Sequence, residues 1–273
     1  MKQQIYVYLY SEPTAASLDL AQLCDYVKKV LPPLEVLLRD SFIKFHLGTL
    51  SEESLSSLSQ DFARAKVRNP LRRGQNFSPL PGEVEYERRR LTNPGKNIWG
   101  ILYDGYKLVG ILQQLIPRPE CNLSHIHVVF TNQLFGTWDK DDQRYHARVS
   151  IYGFPSVIST TGIVEAPAKP KEYYLLKQQY TMLGMPDATA TKLDTQFRGQ
   201  FIDHADERLT EIMKGYVMQA VLYHLWGDPF CQDKGCRLYN AHWQQEVIEA
   251  QLESEYDFCP LHQGKLQELI QRI

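Results

Sequence analysis

The sequence predicts an α/β fold in which helices pack against a mixed β-sheet. Runs of β-branched and aromatic residues, at positions 4–10 and 125–130 for example, have the composition of strands. Between such runs, apolar residues recur at helical spacing, which predicts amphipathic helices. The 273 residues are 43% apolar and 23% charged, values typical of a globular protein that buries a sizeable core.

Residues 1–67 are predicted to form an N-terminal α/β segment. A strand at 4–10 precedes a helix at 17–31, an apolar strand follows within 34–45, and another helix covers 52–66. A single apolar stripe indicates the first helix. The stripe consists of Leu20, Leu23, Cys24, Val27 and Val30 or Leu31.

Residues 68–97 are predicted to form an exposed connector, because turn-forming pairs such as Asn69-Pro70 and Pro81-Gly82 recur through them. The connector is also rich in cations, which either bind a phosphate or an acidic partner or keep a solvated loop soluble. The second interpretation is favoured, because carboxylates are interleaved with the cations. The cations are Arg68, Arg72, Arg73, Arg88, Arg89, Arg90 and Lys96, and the carboxylates are Glu83, Glu85 and Glu87.

Residues 98–273 are predicted to form the main α/β domain. A helix is expected over 98–116, although glycines weaken it. Strands follow at 125–130, 145–151 and 157–164, and the first of them places His125 and His127 on one face. A helix at 173–182 precedes a long helix at 203–226, for which Asp203 is the candidate N-cap. The inner stripe of the long helix consists of Leu209, Met213, Tyr216, Ala220 and His224.

Four potential metal ligands near the C-terminus are the most informative residues of the chain. Cys231 and Cys236 form one short pair, and Cys259 and His262 form a second pair beyond residues 237–258. Two such pairs, brought together by folding, supply the donors of a closed tetrahedral zinc site. The alternative is two unrelated pairs. Because three of only 5 cysteines fall into these pairs, one structural zinc ion per chain is predicted.

Charge and hydropathy exclude several classes of protein. With a net charge of −2 the chain has no general basic field, and nucleic-acid binding is not expected. No apolar run approaches the roughly 20 residues of a membrane helix. The first residues lack a signal-peptide core, and thiols placed to hold a metal favour a reducing compartment, so a cytoplasmic location is expected.

The end of the long helix and the cysteine pairs resemble the archaemetzincins, zinc metallopeptidases of the metzincin group. The motif of that family is H-E-x-x-H-x-x-G-x-x-H-C, followed by a C-x4-C spacing, a methionine turn and F-C-x-x-C. Here Gly227 ends the helix, Cys231 and Cys236 follow it, and Cys259 lies in an Asp-Phe-Cys-Pro stretch. The resemblance covers residues 214–265 and implies a metzincin-like fold for 98–273, with a C-terminal helical segment held by zinc.

The resemblance carries over unevenly from residue to residue. It places His224 on the second histidine of the motif, Gly227 on the glycine, and Cys231 on the cysteine after the third histidine. The structural-zinc positions fall on Cys236, Cys259 and His262.

The catalytic positions of the motif depart from the family. Ala220 replaces the first histidine, Val221 the catalytic glutamate and Phe230 the third histidine, and Leu238 stands at the methionine turn. A hydrolytic zinc needs three protein ligands, an open position and a carboxylate base. The resemblance therefore supports the fold and the structural zinc but no confident catalytic residue, and His224 is a vestige for which a packing role is favoured.

Some other residues offer metal ligands or an acid–base group elsewhere. For each, an ordinary structural role is the favoured interpretation. The candidate metal ligands are His204 with Glu207 and Glu211, His242 with Glu246, and His125 with His127. His146 with Arg148 would suit an anionic group, and Glu165 would suit a general base, unless it pairs with Lys169 or Arg148.

Two functional hypotheses follow from these observations. The first is a relative of zinc metallopeptidases whose catalytic motif is degenerate, and which binds peptides or proteins without cleaving them or uses a relocated metal. The second is a zinc-stabilised interaction protein that binds an acidic partner through residues 68–96. Metal stoichiometry discriminates between them: one zinc ion per chain favours a non-catalytic protein, whereas two would mean that histidines such as His125, His127 or His224 build a second site.

Overall fold

Strands and helices alternate along the chain. The structure is a computed structural model that describes residues 4–48, 51–74, 77–93, 100–184, 196–197 and 199–273. The strands are β1 (Tyr6–Tyr10), β2 (Glu35–Arg39), β3 (Leu102–Asp104), β4 (His125–Thr131), β5 (Leu134–Asp139), β6 (Arg144–Arg148), β7 (Ser150–Ile151) and β8 (Ser156–Ser159). The helices are α1 (Leu20–Val30), α2 (Phe42–Leu47), α3 (Glu52–Arg64), α4 (Pro81–Thr92), α5 (Gly105–Gln113), α6 (Gly162–Glu165), α7 (Lys171–Met182), α8 (Leu209–Trp226), α9 (Gln244–Ile248) and α10 (Pro260–Arg272).

The strands form two mixed sheets, so the predicted α/β class is confirmed. The larger sheet has the order β2-β1-β4-β8-β7, in which β7 runs antiparallel to β8 and the other pairs are parallel. The smaller sheet has the order β3-β5-β6, with β5 and β6 antiparallel. Because β1 and β2 pair in the sheet that holds β4 and β8, residues before 67 and after 98 share one sheet.

One face of the larger sheet packs against α1 and α8. Side chains alternate between the faces of a strand, and Val7, Leu9, Ile126 and Val128 are buried on this one. The side chains of α8 are buried on nearly all sides between positions 209 and 222. A helix that is apolar all round belongs in the interior, so α8 is a central element of the fold.

The opposite face of the larger sheet packs against α3 and α5. Tyr8, Tyr10 and Val129 share a core with Phe62 of α3 and Leu108 of α5. Both faces of the parallel strands are therefore covered, as in doubly wound α/β proteins. Among the helices within the described ranges, none combines the length and the hydrophobicity of a membrane-spanning segment.

The prediction of a loop throughout 68–97 is wrong for α4. Pro81 begins this helix, a position where proline is favoured because its missing N–H needs no partner. Glu87 and Leu91 of α4 are buried, and the helix packs beside α3. The turn-like pair Pro81-Gly82 therefore marks the start of a helix.

Other boundaries differ for local reasons. The long helix α8 begins at Leu209 and not near Asp203, because Ala205 has a φ of 61°, which an α-helix cannot contain. The helix expected over 98–116 is divided between β3 and α5. The apolar runs at 34–45 and 157–164 are strands only as far as Arg39 and Ser159, and a short helix follows each.

Candidate metal centre

The four predicted ligands meet at one place. The ligand atoms of Cys231, Cys236, Cys259 and His262 all lie within 4.8 Å of one another, and all four residues are buried. The first pair lies in the loop after α8, and the second pair lies at the start of α10. The predicted convergence of two sequence-distant pairs is thus present in the fold.

The first pair is shaped by a tight loop. Gly227 ends α8 with a φ of 81°, a left-handed conformation that glycine adopts without strain. The N–H of Cys231 donates to Leu238 O at 2.9 Å, and the N–H of Cys236 donates to Asp233 O at 3.1 Å. The N–H of Asp233 points at Cys231 Sγ, 3.3 Å away. Backbone hydrogen bonds therefore hold both sulfur atoms on the inside of the loop.

The second pair is shaped by the first turn of α10. Cys259 is the N-cap residue, and Pro260 follows at the first helical position. Residues three apart share a helix face, so Cys259 and His262 point the same way. Their ligand atoms, Sγ and Nδ1, are 3.2 Å apart.

The distances between ligand atoms fit a tetrahedral zinc ion. Zn–S bonds of about 2.3 Å and Zn–N bonds of about 2.0 Å give a tetrahedron with S···S edges of about 3.8 Å and S···N edges of about 3.5 Å. The Cys231 and Cys259 sulfur atoms are 3.7 Å apart, and Cys236 Sγ lies 3.9 Å from His262 Nδ1. A disulfide needs an S–S distance near 2.0 Å, and all three cysteines are free. This donor set can hold a metal ion.

The chemistry of the thiols is consistent with a cation. Burial raises the pKa of the Cys236 thiol to about 12 and also raises the pKa of Cys231. A bound divalent cation reverses this preference, because a coordinating thiol is deprotonated outright.

A salt-bridge clamp ties the two ligand loops to α8. Arg237, directly after Cys236, donates from Nε to Asp257 Oδ1 at 2.6 Å, and its guanidinium also binds Glu211 of α8. Tyr26 of α1 donates to Asp257 Oδ2 at 3.2 Å. The side chain of Arg237 is only 10% exposed. These contacts hold residues 236–237 beside residues 257–259 through groups that are not ligands.

Comparison with known families identifies the group to which this protein is related. Residues 3–269 match the model of a family described as "Probable metallopeptidase family (DUF6775)". The chain belongs to this family. Neither a curated protein nor a solved structure matches it significantly.

In this member of the probable metallopeptidase family, the residues that stand at the catalytic positions of the archaemetzincin motif do not meet at one site. Ala220 and Val221 are completely buried in the core, and Phe230 is exposed. The His224 Nε2 atom lies 3.0 Å from Leu123 O, and its ring lies near Phe154. His224 therefore packs against the residues just before β4 and just before β8, instead of facing a ligand site with Phe230.

A large cleft nevertheless runs beside α8. It has a volume of about 800 Å³ and lies between α8 and the strands β6 and β7. From α8 it is lined by Tyr216, Gln219 and Tyr223, and His224 is not among the lining residues. The Gln219 amide crosses the floor of the cleft, because Oε1 accepts from Tyr152 OH and Nε2 donates to Tyr239 O at 3.1 Å. Sequence reasoning missed Gln219, because an amide in an apolar helix carries no motif.

Within the described ranges, the Cys231–His262 cluster is the only group of three or more potential metal ligands. His125 and His127 do share one face of β4, but each hydrogen-bonds to a tyrosine. His125 Nδ1 lies 2.8 Å from Tyr8 OH, and His127 Nδ1 lies 3.0 Å from Tyr10 OH. Burial lowers the pKa of His127 to about 4, so the ring is neutral near pH 7. The strand histidines therefore take part in an aromatic network in the core.

The other candidate groups are also engaged in structural contacts. Glu246 accepts from the backbone N–H of His242 at 2.9 Å and caps α9, so it does not pair with the imidazole. His146 pairs with Asp142 at 2.8 Å, and Arg148 Nε donates to Thr137 at 2.8 Å.

Glu165 lies in α6 and not at the end of a strand. Its Oε1 lies 3.8 Å from His204 Nε2, and neither Lys169 nor Arg148 pairs with it. His204 and Glu207 precede α8, so they do not share a helix with Glu211. Glu211 instead belongs to the clamp around Arg237.

The cations of the connector are largely paired. Arg68 binds Glu83 at 2.6 Å, and three further arginines of the segment each bind one carboxylate at 2.7 Å. Lys96 lies outside the described residues. This pairing agrees with the interpretation of a charge-balanced segment. The three further pairs are Arg88–Glu52, Arg89–Glu85 and Arg90–Glu87.

Proposed function

We propose that this protein is a zinc-stabilised member of a metallopeptidase family that binds an extended polypeptide in the cleft beside α8 and does not hydrolyse it by the metzincin route. The observation that carries the proposal is the floor of the cleft. The Gln219 amide is tied to Tyr152 and Tyr239 there, while Ala220 and Val221 are sealed in the core. A hydrolytic zinc needs three ligands and a carboxylate base, and these α8 residues offer neither.

Zinc is the ion we assign to the Cys3His cluster. Three thiolates and an imidazole are soft donors, which select zinc over magnesium or calcium. Four protein ligands complete the tetrahedron, so water has no open position, and the role is structural. Three reduced cysteines at such a site also favour a reducing compartment, for which we propose the cytoplasm.

The archaemetzincin resemblance supports the placement of the binding cleft. In this chain α8 ends at Gly227, and the cysteine loop follows directly, in the order of that family's motif. The cleft lies along the same helix. We propose that the chain keeps the metzincin arrangement of helix, glycine turn and zinc-bound cysteines after loss of the catalytic ligands.

The shape of the cleft favours an extended chain as its occupant. Every residue from 146 to 152 lines the cleft. We therefore infer that the edges of β6 and β7, and not one of their faces, border it. Val149 O accepts from Ser159 N on the β8 side, and backbone groups of successive residues point to opposite sides. Ser150 therefore directs its N–H and C=O toward the cleft, where an added strand can pair with them.

The experiment uses labelled casein, an unfolded polypeptide, as both ligand and substrate. We expect saturable binding by fluorescence anisotropy, no cleavage on gels, and one zinc ion per chain by elemental analysis. Ser150→Pro removes the backbone donor and should abolish most of the binding, whereas Ser150→Ala keeps the donor and serves as the matched control.

Three outcomes contradict parts of this proposal. Cleavage that is lost with a chelator and restored by zinc, together with a second zinc equivalent, would establish a relocated catalytic site. Binding that is equal in Ser150→Pro and wild type, with both proteins folded by circular dichroism, would remove strand pairing as the mode of recognition. Absence of zinc from a folded protein would refute the metal assignment.

A further inference from the structure

The larger sheet reverses its strand order between β1 and β4. The chain passes from β1 through α1 to β2 on one side, and it returns through α2–α5 to pair β4 on the other side of β1. The helices α1 and α5 accordingly pack on opposite faces. In open α/β sheets, such a reversal leaves a crevice beyond the carboxyl ends of the strands, and ligands bind there. In this protein the crevice begins after Tyr10 and Thr131.

Glu12 joins the two loops at this crevice. Its Oε2 accepts from the N–H of Asn132 at 2.9 Å, and its Oε1 accepts from the N–H and the hydroxyl of Thr14 at 3.0 and 2.8 Å. The loop after β1 is thereby fixed against the loop after β4. The partly buried Glu12 carboxylate therefore ties the two loops that border the crevice to each other with directed hydrogen bonds.

A small cavity lies beside Glu12 on the α5 side. Its volume is about 50 Å³, and Ser41, Arg90 and Gln133 are among the residues that line it. Each of these three has a buried polar atom without a hydrogen-bond partner: Ser41 Oγ, Arg90 Nη2 and Gln133 Nε2. Ser41 and Gln133 are only 7% and 4% exposed. An unpaired buried polar atom costs about 1–3 kcal/mol, so three at one cavity need an explanation.

The chemistry of these atoms specifies the ligand. The guanidinium and amide nitrogens can only donate, and the serine hydroxyl can donate, so the ligand must accept. Glu87 is shared between Arg90 and Lys66 at 2.7 Å each, so one carboxylate pairs with two cations there. Glu12 also lines the cavity, but both of its carboxylate oxygens already accept hydrogen bonds from Thr14 or Asn132. A cavity of this size has room for about three or four waters, or for one ion of four or five non-hydrogen atoms.

We propose that this cavity binds a small oxyanion, a carboxylate or an inorganic phosphate, whose oxygens accept hydrogen bonds from Arg90 Nη2, Ser41 Oγ and Gln133 Nε2. Four segments distant in sequence, including Glu12, come together to form it. The site is separate from the Cys3His cluster and from the cleft beside α8, and no lining residue is shared with either. The proposal is independent of the function proposed above.

The test is isothermal titration of the full-length, zinc-loaded protein with sodium acetate and, separately, sodium phosphate, at constant ionic strength set with chloride. We expect saturable 1:1 binding of at least one anion, and the tighter of the two identifies the source. Ser41→Ala should weaken that binding about tenfold, since one charge-assisted hydrogen bond is lost. The control Ser17→Ala also removes a buried, unpaired hydroxyl but at a different cavity, and it should leave the affinity unchanged.

Arg90→Lys provides a second variant, because it keeps the charge and removes the planar donor fork. We expect at least tenfold weaker binding in this variant also. If neither anion shows saturable binding to the wild type, the cavity holds only water, and the proposal is overturned. It is equally overturned if the anion binds Ser41→Ala and Arg90→Lys as tightly as the wild type, because the ion then binds elsewhere.

Discussion

Residues 220–236 form one short segment, and the side chains at its two ends have different environments. At Cys231 and Cys236 the backbone bends so that both sulfur atoms face Cys259 and His262. At Ala220, Val221 and His224 the residues stay on a straight helix that buries the first two and turns the third toward Leu123. The difference teaches that a loop can direct several side chains to one point through its own backbone geometry. On a helix, in contrast, packing decides which side chains are buried.

The largest expected effect is at Cys236, one of the four potential ligands. The change Cys236→Ser should abolish metal binding and destabilise the protein by on the order of 5 kcal/mol or more, because structural zinc contributes roughly 10–16 kcal/mol of folding free energy in small domains. Elemental analysis and thermal unfolding measure the two effects. Cys121→Ser, at an exposed free thiol, is the control and should change neither. An unchanged melting temperature in Cys236→Ser would contradict the structural role of the metal.

The next largest effect is expected at Arg237, whose salt-bridge clamp holds the two ligand loops in place although Arg237 is not itself a ligand. Arg237→Met should cost about 3 kcal/mol, because it leaves Asp257 and Glu211 without their buried partner. It should also weaken zinc retention about 10- to 100-fold against a chelator, as loss of outer-shell contacts does. Arg272→Met removes an exposed pair with Glu268 and should have almost no effect on either quantity. Equal zinc retention in both variants would show that the loops need no clamp.

The buried histidine His127 is expected to make the free energy of unfolding depend on pH. Burial lowers the folded-state pKa of His127 to about 4, below the ordinary value of 6.5, so the unfolded chain binds more protons between these values. Stability should therefore fall as the pH drops from 6.5 toward 4, by about 2 kcal/mol for this residue. Denaturant unfolding at several pH values measures the slope.

Two neighbours of His127, which are His46 and Glu120, should also lower the stability as the pH falls. Burial also lowers the pKa of His46 to about 4, and the hydrogen bond from Arg39 lowers the pKa of Glu120, so part of the slope remains in any single variant. His127→Asn should reduce the fall in stability by the contribution of this one residue. Identical slopes in wild type and His127→Asn would show that folding does not lower the pKa of this ring.

The smallest expected effect lies at His224. His224→Ala removes the hydrogen bond to Leu123 O and part of the packing on Phe154, which should cost about 1 kcal/mol. The zinc content should stay at one equivalent, because the imidazole is not part of the cluster. A loss of bound metal in this variant would mean that His224 is a ligand after all.

Spacing along the sequence determined much of this protein. The alternation in β4 placed His125 and His127 on one face, and the pairs 231/236 and 259/262 predicted a cluster of potential metal ligands, because residues a few positions apart have their relative geometry set by the local backbone. The N-terminus of α4 at Pro81 was also present in the sequence, but proline and glycine serve turns and helix starts alike. There the burial of Glu87 and Leu91 against the rest of the fold decided the outcome.

The remaining features depended on tertiary structure. Each residue of a helix is rotated by about 100° from the previous one, so only packing could decide that Gln219 and Tyr223 of α8 line the cleft while His224 does not. The clamp of Arg237, Asp257 and Glu211 joins three separate segments, and the cavity at Ser41, Arg90 and Gln133 joins three more. The spacing of residues along the sequence does not specify such contacts between distant segments. The order of strands in the sheet and the packing of helices on its two faces bring these residues together.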